Sequence, residues 1–267
     1  MSLDLLFVVS LLTKMIVVAA FVVTASVVAE RAGALIGALV STLPLSAGPA
    51  YVFLALDHDT AFIADGAVAS LAVNAATGVF ALIYVALAQR FALFVSLPVA
   101  LGLWFVFAGV IVAIHWTLPA ALVLNALVFA AAIPLARRFL HARMPLVVRR
   151  WFDVPLRAVM VACLVATVVT LSARVGSVVS GILAVFPVVL SSLMLILQAR
   201  IGGVATACVI ANGMWGLVGF SGALLTLHLG VVPLGAPVAL TLALAVSIGW
   251  NVAIWFVRRR AHAAVRS

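Results

Sequence analysis

Two polar residues within apolar stretches are the first candidates for chemistry in this sequence. Asp65 lies a few residues into the stretch 61–88, and Asn212 lies in the stretch 202–227. A carboxylate or an amide inside a membrane span is costly unless it has a polar partner, so by default it marks a functional site. We predict that both residues contact a solute. For Asp65, a structural hydrogen-bond anchor is an equally good interpretation.

Arg174 is the third candidate, since a guanidinium group suits carboxylate and phosphate ligands. We predict that it recruits an anion, and anchoring at the membrane boundary is the alternative. The histidines His58, His115 and His228 show no spacing typical of a metal site. No catalytic triad or carboxylate pair is recognisable, so we predict no enzyme, no metal and no cofactor.

Two apolar stretches contain residues that interrupt a helix. The segment "STLPLSAGPAY" at 41–51 contains two prolines and a glycine, and a second apolar stretch has a proline at the matching place. Proline removes a backbone donor and clashes with the preceding turn. Such interruptions in matching places predict a binding site near the bilayer midplane, and simple kinks are the alternative. The predicted hinge residues are Pro44, Gly48, Pro49 and Pro187, and the predicted solute-binding serines are Ser46, Ser191 and Ser192.

The composition indicates which elements must position these residues. The chain has 267 residues, of which 68% are hydrophobic and 8% are charged, with a mean hydropathy of +1.42. This composition predicts an all-α, polytopic membrane protein with the lipid bilayer as a partner. The net charge of +9 indicates basic cytoplasmic loops rather than binding to nucleic acid.

The hydropathy pattern predicts about nine membrane spans and their orientation. Of the 15 lysines and arginines, only Lys14 and Arg174 fall on one side. The other side is therefore predicted to be the cytoplasm of a bacterial inner membrane, with the N-terminus outside and the C-terminus inside. The predicted spans are 5–29, 32–56, 61–88, 91–114, 118–136, 154–173, 175–198, 202–227 and 232–257.

An internal repeat relates the two halves of the chain. Residues 14–44 align without gaps with residues 157–187, and this alignment places Arg31, Gly33 and Pro44 opposite Arg174, Gly176 and Pro187. An odd number of spans separates the copies, which predicts an inverted-topology repeat, with spans 1 to 4 matching spans 6 to 9. The predicted domains are a first repeat at 1–117, a linker helix and loop at 118–153, and a second repeat at 154–267.

The second half resembles a known family. The segments "GILAVFPVVL" and "ANGMWGLVGF" are similar to those of the GlpM-like family of small bacterial inner-membrane proteins. The resemblance covers roughly residues 157–257 and implies a fused, two-copy version of a four-span unit. It also implies a loose link to glycerol phosphate uptake and polysaccharide production, without fixing a substrate. The matching residues are Gly181, Phe186, Pro187, Gly213, Met214 and Trp215.

These features together predict a transporter or permease for a small solute, possibly an anion, with its site between inverted repeats. A polar cavity lined by the second, third, seventh and eighth spans would carry that function. The alternatives are a channel, or a non-transport component of envelope or polysaccharide metabolism, which needs only packed spans and a lipid-facing groove. The sequence leaves the oligomeric state open.

Overall fold

The computed structural model describes residues 3–31, 46–140 and 151–264, and all the regular elements in those ranges are α-helices. The all-helical prediction is therefore confirmed for the described residues. Their surface exposes many large apolar side chains, as expected of helices that face lipid. The helices, numbered in chain order, are α1 Leu3–Arg31, α2 Ala47–Asp57, α3 Thr60–Leu87, α4 Leu93–Val112, α5 Leu118–Arg137, α6 Asp153–Ala184, α7 Val188–Leu234 and α8 Ala236–Ala264.

The predicted count of nine spans is wrong for the described part of the chain. It contains six apolar helical stretches long enough to cross a membrane, and the shorter apolar helix α2. The count differs because the predicted spans 154–173, 175–198 and 202–227 lie in one apolar helical stretch from Asp153 to Leu234, and because α2 is shorter than a membrane span. Residues 32–45, which include Pro44, lie outside the described residues.

Glycines with a positive φ divide this long stretch. Gly202 has φ 77° inside α7, a conformation that glycine adopts without the steric cost of a Cβ atom. Before it, the chain runs from Gly181, whose carbonyl accepts a hydrogen bond from Ser70, to Gln198, which accepts one from Tyr84 near the end of α3. After it, the carbonyl of Leu217 accepts one from Asn74 in the middle of α3. The chain therefore reverses its direction along α3 at Gly202.

A second reversal occurs at Gly176, which has φ 76° inside α6. At the start of α6, Asp153 forms an ion pair with Arg200. Near the break, Ser172 is hydrogen-bonded to His58 at 2.8 Å, beside the start of α3. The chain thus runs from the Arg200 end of the protein to the His58 end before Gly176, and returns afterwards.

Helix α3 is the centre of the fold and packs against α4, α5, α6 and α7. It is rich in alanine and glycine, which let neighbouring helices approach closely. One very close approach is that of Gly66 in α3 to Gly181 in α6, where a Cβ atom on Gly181 would overlap the carbonyl of Gly66. This contact positions the end of α6 against the middle of the protein.

Candidate binding cavity

A cavity of about 320 Å³ lies where the α6–α7 connection meets α3 and the start of α2. We call it the central cavity, and its lining includes Ser46, Asn74, Pro187, Leu190 and Gly213. Its size is within the range of small-molecule sites. Side chains from both halves of the chain therefore meet around one space.

The helical path is broken at this cavity, not merely kinked. Helix α6 ends at Ala184, and α7 begins at Val188 after Pro187, which has φ −75° and ψ 47°. Proline cannot donate a backbone hydrogen bond, so the break leaves backbone groups that lipid cannot satisfy. Non-helical backbone at membrane depth is tolerated beside protein or a water-filled space. The predicted interruption at Pro187 therefore lies at a cavity.

Asn74 is the most buried polar group of the lining, with 0% exposure. Its amide nitrogen donates to the carbonyl of Leu217 at 3.0 Å and to the hydroxyl of Ser221 at 2.9 Å. A longer bond of 3.3 Å joins it to Asn125. Its Oδ1 atom has no hydrogen-bond partner. A buried acceptor without a partner costs free energy, which a solute with a donor group would recover.

Asn125 ties α5 to α3 and α7, two of the helices that line the cavity. Its amide nitrogen donates to the carbonyl of Leu71 in α3 at 2.6 Å. Its Oδ1 accepts from Ser221 of α7 at 3.0 Å. Because Asn125 lies on α5, this network fixes α3, α5 and α7 relative to one another and sets the position of Asn74.

The wall near the break is aromatic. Trp104 of α4 donates to the hydroxyl of Thr77 at 3.1 Å and packs edge-on against Phe186, with 5.1 Å between ring centroids. Thr77 and Phe186 both line the central cavity. This contact positions the connection between α6 and α7 from the side opposite to α7.

The structure brings only part of the predicted site together. Ser46 and Pro187 line the central cavity, while Gly48 and Pro49 line a neighbouring groove. Ser191 and Ser192 are buried but line neither space, because Val189, Leu190 and Leu193 face the cavity from this part of α7.

Three further predicted residues lie elsewhere. The side chains of Asp65 and Arg174 are exposed and line neither the cavity nor the groove. Asn212 is partly buried and donates to the carbonyl of Cys208, one turn earlier in its own helix, at 3.0 Å. The remaining predicted hinge, Pro44, lies outside the described residues.

The sequence analysis did not identify Asn74, Asn125 or Ser221 as site residues. The sequence feature that could have identified the two asparagines is an uncharged amide in an otherwise apolar span, of which Asn125 in α5 is an example. Such residues form hydrogen bonds across helices.

Two ion pairs lie at opposite ends of the protein. Lys14 of α1 pairs with Asp57 at the end of α2, at 2.6 Å, and Asp153 of α6 pairs with Arg200 of α7. The side chain of Asp153 is 8% exposed and that of Asp57 is 35% exposed. Water weakens the exposed pair more, because it screens the charges and solvates each partner alone.

We therefore expect Asp153→Ala to lower the melting temperature by several degrees and Asp57→Ala to lower it only slightly. A buried ion that loses its partner is more costly than an exposed one. Thermal unfolding of the purified protein in detergent measures both changes. The charge exchange Asp153→Arg with Arg200→Asp should restore part of the loss. Equal effects of the two alanine variants would contradict this ranking.

Comparison of the chain with protein-family models, curated proteins and solved structures finds no match in any of the three. Among the described residues, no three His, Cys, Asp or Glu side chains form a group that would hold a metal ion. The geometry of the central cavity therefore carries the functional proposal.

Proposed function

We propose that this protein is an inner-membrane transporter that binds a small neutral solute in the central cavity. The observation that carries the proposal is the unpartnered Oδ1 of Asn74, buried beside the helix break at Pro187. Discontinuous helices near the midplane form the solute sites of many transporters. The polar side chain of Asn74 lies on the cavity at such a discontinuity.

The chemistry of the lining favours a neutral solute over an anion. The described residues that line the central cavity include hydroxyl and amide groups but no charged side chain. An anion in such a space would lack a counter-charge and would be costly to desolvate. The proposal therefore gives Arg174, which is exposed, no part in binding the solute.

Helix boundaries support the proposal of two related halves. Helix α3 begins at Thr60 and α4 at Leu93. In the second half, 143 residues later, helix resumes after Gly202 and α8 begins at Ala236. The hydrogen bonds described above give α3 and the part of α7 after Gly202 opposite directions. Matching boundaries with opposite directions are what an inverted repeat requires.

The two ion pairs support the same relationship. Asp57 and Arg200 are separated by the same 143 residues and lie at opposite ends of the protein. Each pairs with the first long helix of its own half, through Lys14 in one case and Asp153 in the other. The charges are exchanged between the halves, and Asp153 lies one helical turn before Arg157, the residue that aligns with Lys14.

The residues that match the GlpM-like family lie at structurally important positions in this protein. Their positions support the proposal that the chain is related to that family. Phe186 and Pro187 form the break, Gly213 lines the central cavity, and Gly181 makes a close helix contact. Three of the six matching positions thus line the proposed site. We also propose the orientation with the Asp57 end outside and the Arg200 end in the cytoplasm.

Cysteine labelling tests whether the central cavity contains water. In a variant without Cys163 and Cys208, we expect Ser46→Cys and Leu190→Cys to react with a small, charged thiol reagent. Both residues line the cavity. Ser191→Cys is the matched control, because this neighbour is buried away from the cavity, and it should stay unreactive.

Two more positions serve as the positive and the negative control for the labelling experiment. His115→Cys in the exposed α4–α5 connection should react, and Val123→Cys on the lipid-exposed surface of α5 should not. If positions 46 and 190 are as inert as position 123 while position 115 reacts, the central cavity is dry. The transporter proposal then fails, and a non-transport envelope component becomes the better proposal.

A further inference from the structure

A second cavity, of about 410 Å³, lies between α1, α2, α7 and α8. We call it the lateral groove, and its lining includes Val18, Gly48, Val52, Phe220 and Leu244. The lining is almost entirely apolar, and Val52 is 45% exposed at its rim. A groove of this composition on the outer surface of a membrane protein faces lipid.

The lateral groove and the central cavity are neighbours. Ala47 and Phe220 line both spaces, so these two side chains form the partition between them. Phe220 is only partly buried. Rotation of one aromatic side chain would therefore join an apolar groove open to lipid with a cavity lined by Asn74, whose buried Oδ1 has no hydrogen-bond partner.

The end of the groove nearest Asp57 is covered by charged residues. The ammonium group of Lys14 is paired with Asp57 and lies 5.8 Å from the ring centroid of Phe53, which lines the groove. This charged pair therefore lies beside the groove at its Asp57 end. The lipid side, at Val52, is the more open approach.

We propose that the solute of the central cavity is an amphiphile with a neutral hydrogen-bond donor and an apolar chain, and that it enters from the bilayer through the lateral groove. This inference rests on the proposed transport function and names its substrate class. The donor group of the solute forms a hydrogen bond with Asn74 Oδ1, and its apolar chain occupies the lateral groove. Phe220 lies between the groove and the central cavity. A lipid alcohol is the simplest molecule with this chemistry.

The probe for the test is a medium-chain fatty alcohol that carries a photoreactive diazirine and an alkyne, with the full-length protein in liposomes. Irradiation should attach it to peptides of α2 and α7, and an excess of the unlabelled alcohol should prevent this. The alkyl sulfate of the same chain length and free glycerol should compete poorly. The sulfate lacks a neutral donor head, and glycerol lacks the chain.

The substitution Gly48→Phe tests whether the solute enters through the lateral groove. A Cβ atom at Gly48 would meet no atom within 4 Å, so the new ring fills the groove rather than the packed core. We expect a loss of labelling of roughly tenfold, which corresponds to about 1.4 kcal/mol of binding. Gly109→Phe on α4 is the matched control, because its Cβ would also meet nothing within 4 Å and it lies outside the groove. Should Gly48→Phe prove unstable, Val52→Trp at the rim gives a second block.

Two variants distinguish binding in the lateral groove from binding in the central cavity. Asn74→Leu should keep labelling in the groove and lose it at residues that line only the central cavity, since the head group loses its acceptor. Phe220→Ala should increase labelling of those cavity residues, because the partition becomes smaller. Both outcomes are measured by mass spectrometry of the labelled peptides.

The inference is overturned if Gly48→Phe and Val52→Trp both label like the unmodified protein, or if the alkyl sulfate competes as well as the alcohol. The cysteine experiment distinguishes this failure from that of the transport proposal. If positions 46 and 190 react with the water-soluble thiol reagent, the transport proposal stands without the lipid route. If they are inert as well, both proposals fail.

Discussion

Replacing Gly181 by valine is expected to prevent the folded protein from accumulating in the membrane. The first carbon of any side chain at this position would overlap the backbone of Gly66. Side-chain overpacking costs about 1–3 kcal/mol, and a clash between two helix backbones is harder to relieve by rotation. The helices would have to separate, and the hydrogen bond from Ser70 to the carbonyl of Gly181, at 2.6 Å, would be lost.

The measurement is the amount of protein extracted from membranes, together with the melting temperature of any protein that is purified. Gly109→Val is the matched control, because no atom lies within 4 Å of its Cβ position and the residue is exposed on α4. It should accumulate normally. If both variants accumulate and melt alike, the close contact between α3 and α6 is not part of the folded protein.

The second large effect is expected for Asn125→Leu, which keeps the volume of the side chain and removes its hydrogen bonds. Leu71 and Ser221 each lose a partner on another helix. Hydrogen bonds between membrane helices contribute about 0.6–2 kcal/mol each, and this variant loses two good ones and a longer one to Asn74. We expect a destabilisation of about 1–3 kcal/mol and a displaced Asn74.

Asn251→Leu is the matched control for this substitution. Asn251 is also buried, but its amide nitrogen donates to the carbonyl of Ser247 in its own helix. Removing a bond within one turn leaves the arrangement of the helices unchanged, so the loss of stability should be smaller. Unfolding curves of the two variants in detergent compare them directly. An equal loss would show that Asn125 does not tie the helices together.

The thiol reagent offers a second readout for Asn125. If the network positions the cavity wall, Asn125→Leu should change the reactivity of Leu190→Cys, whereas Asn251→Leu should leave it as it was. A purely local effect on stability would leave the reactivity unchanged in both variants. The two readouts together separate the positioning of Asn74 from general destabilisation.

The sequence by itself determined the class of the protein and the location of the helix break in its second half. The high hydropathy and low charge allow an all-helical membrane protein, because helices satisfy their own backbone groups in lipid. Pro187 breaks the helical path for a local reason, the missing backbone donor. Such properties depend on composition and on single residues, so they can be predicted without the tertiary structure.

Only the tertiary structure decided which side chains form the site. In a helix that is apolar all round, the 3.6-residue period gives little information about which side faces inward. Leu190 rather than Ser191 therefore lines the central cavity, and Asp65 lies outside it. The partners of Asn74 come from helices distant in the sequence, because helix packing, not spacing along the chain, brings these polar groups together.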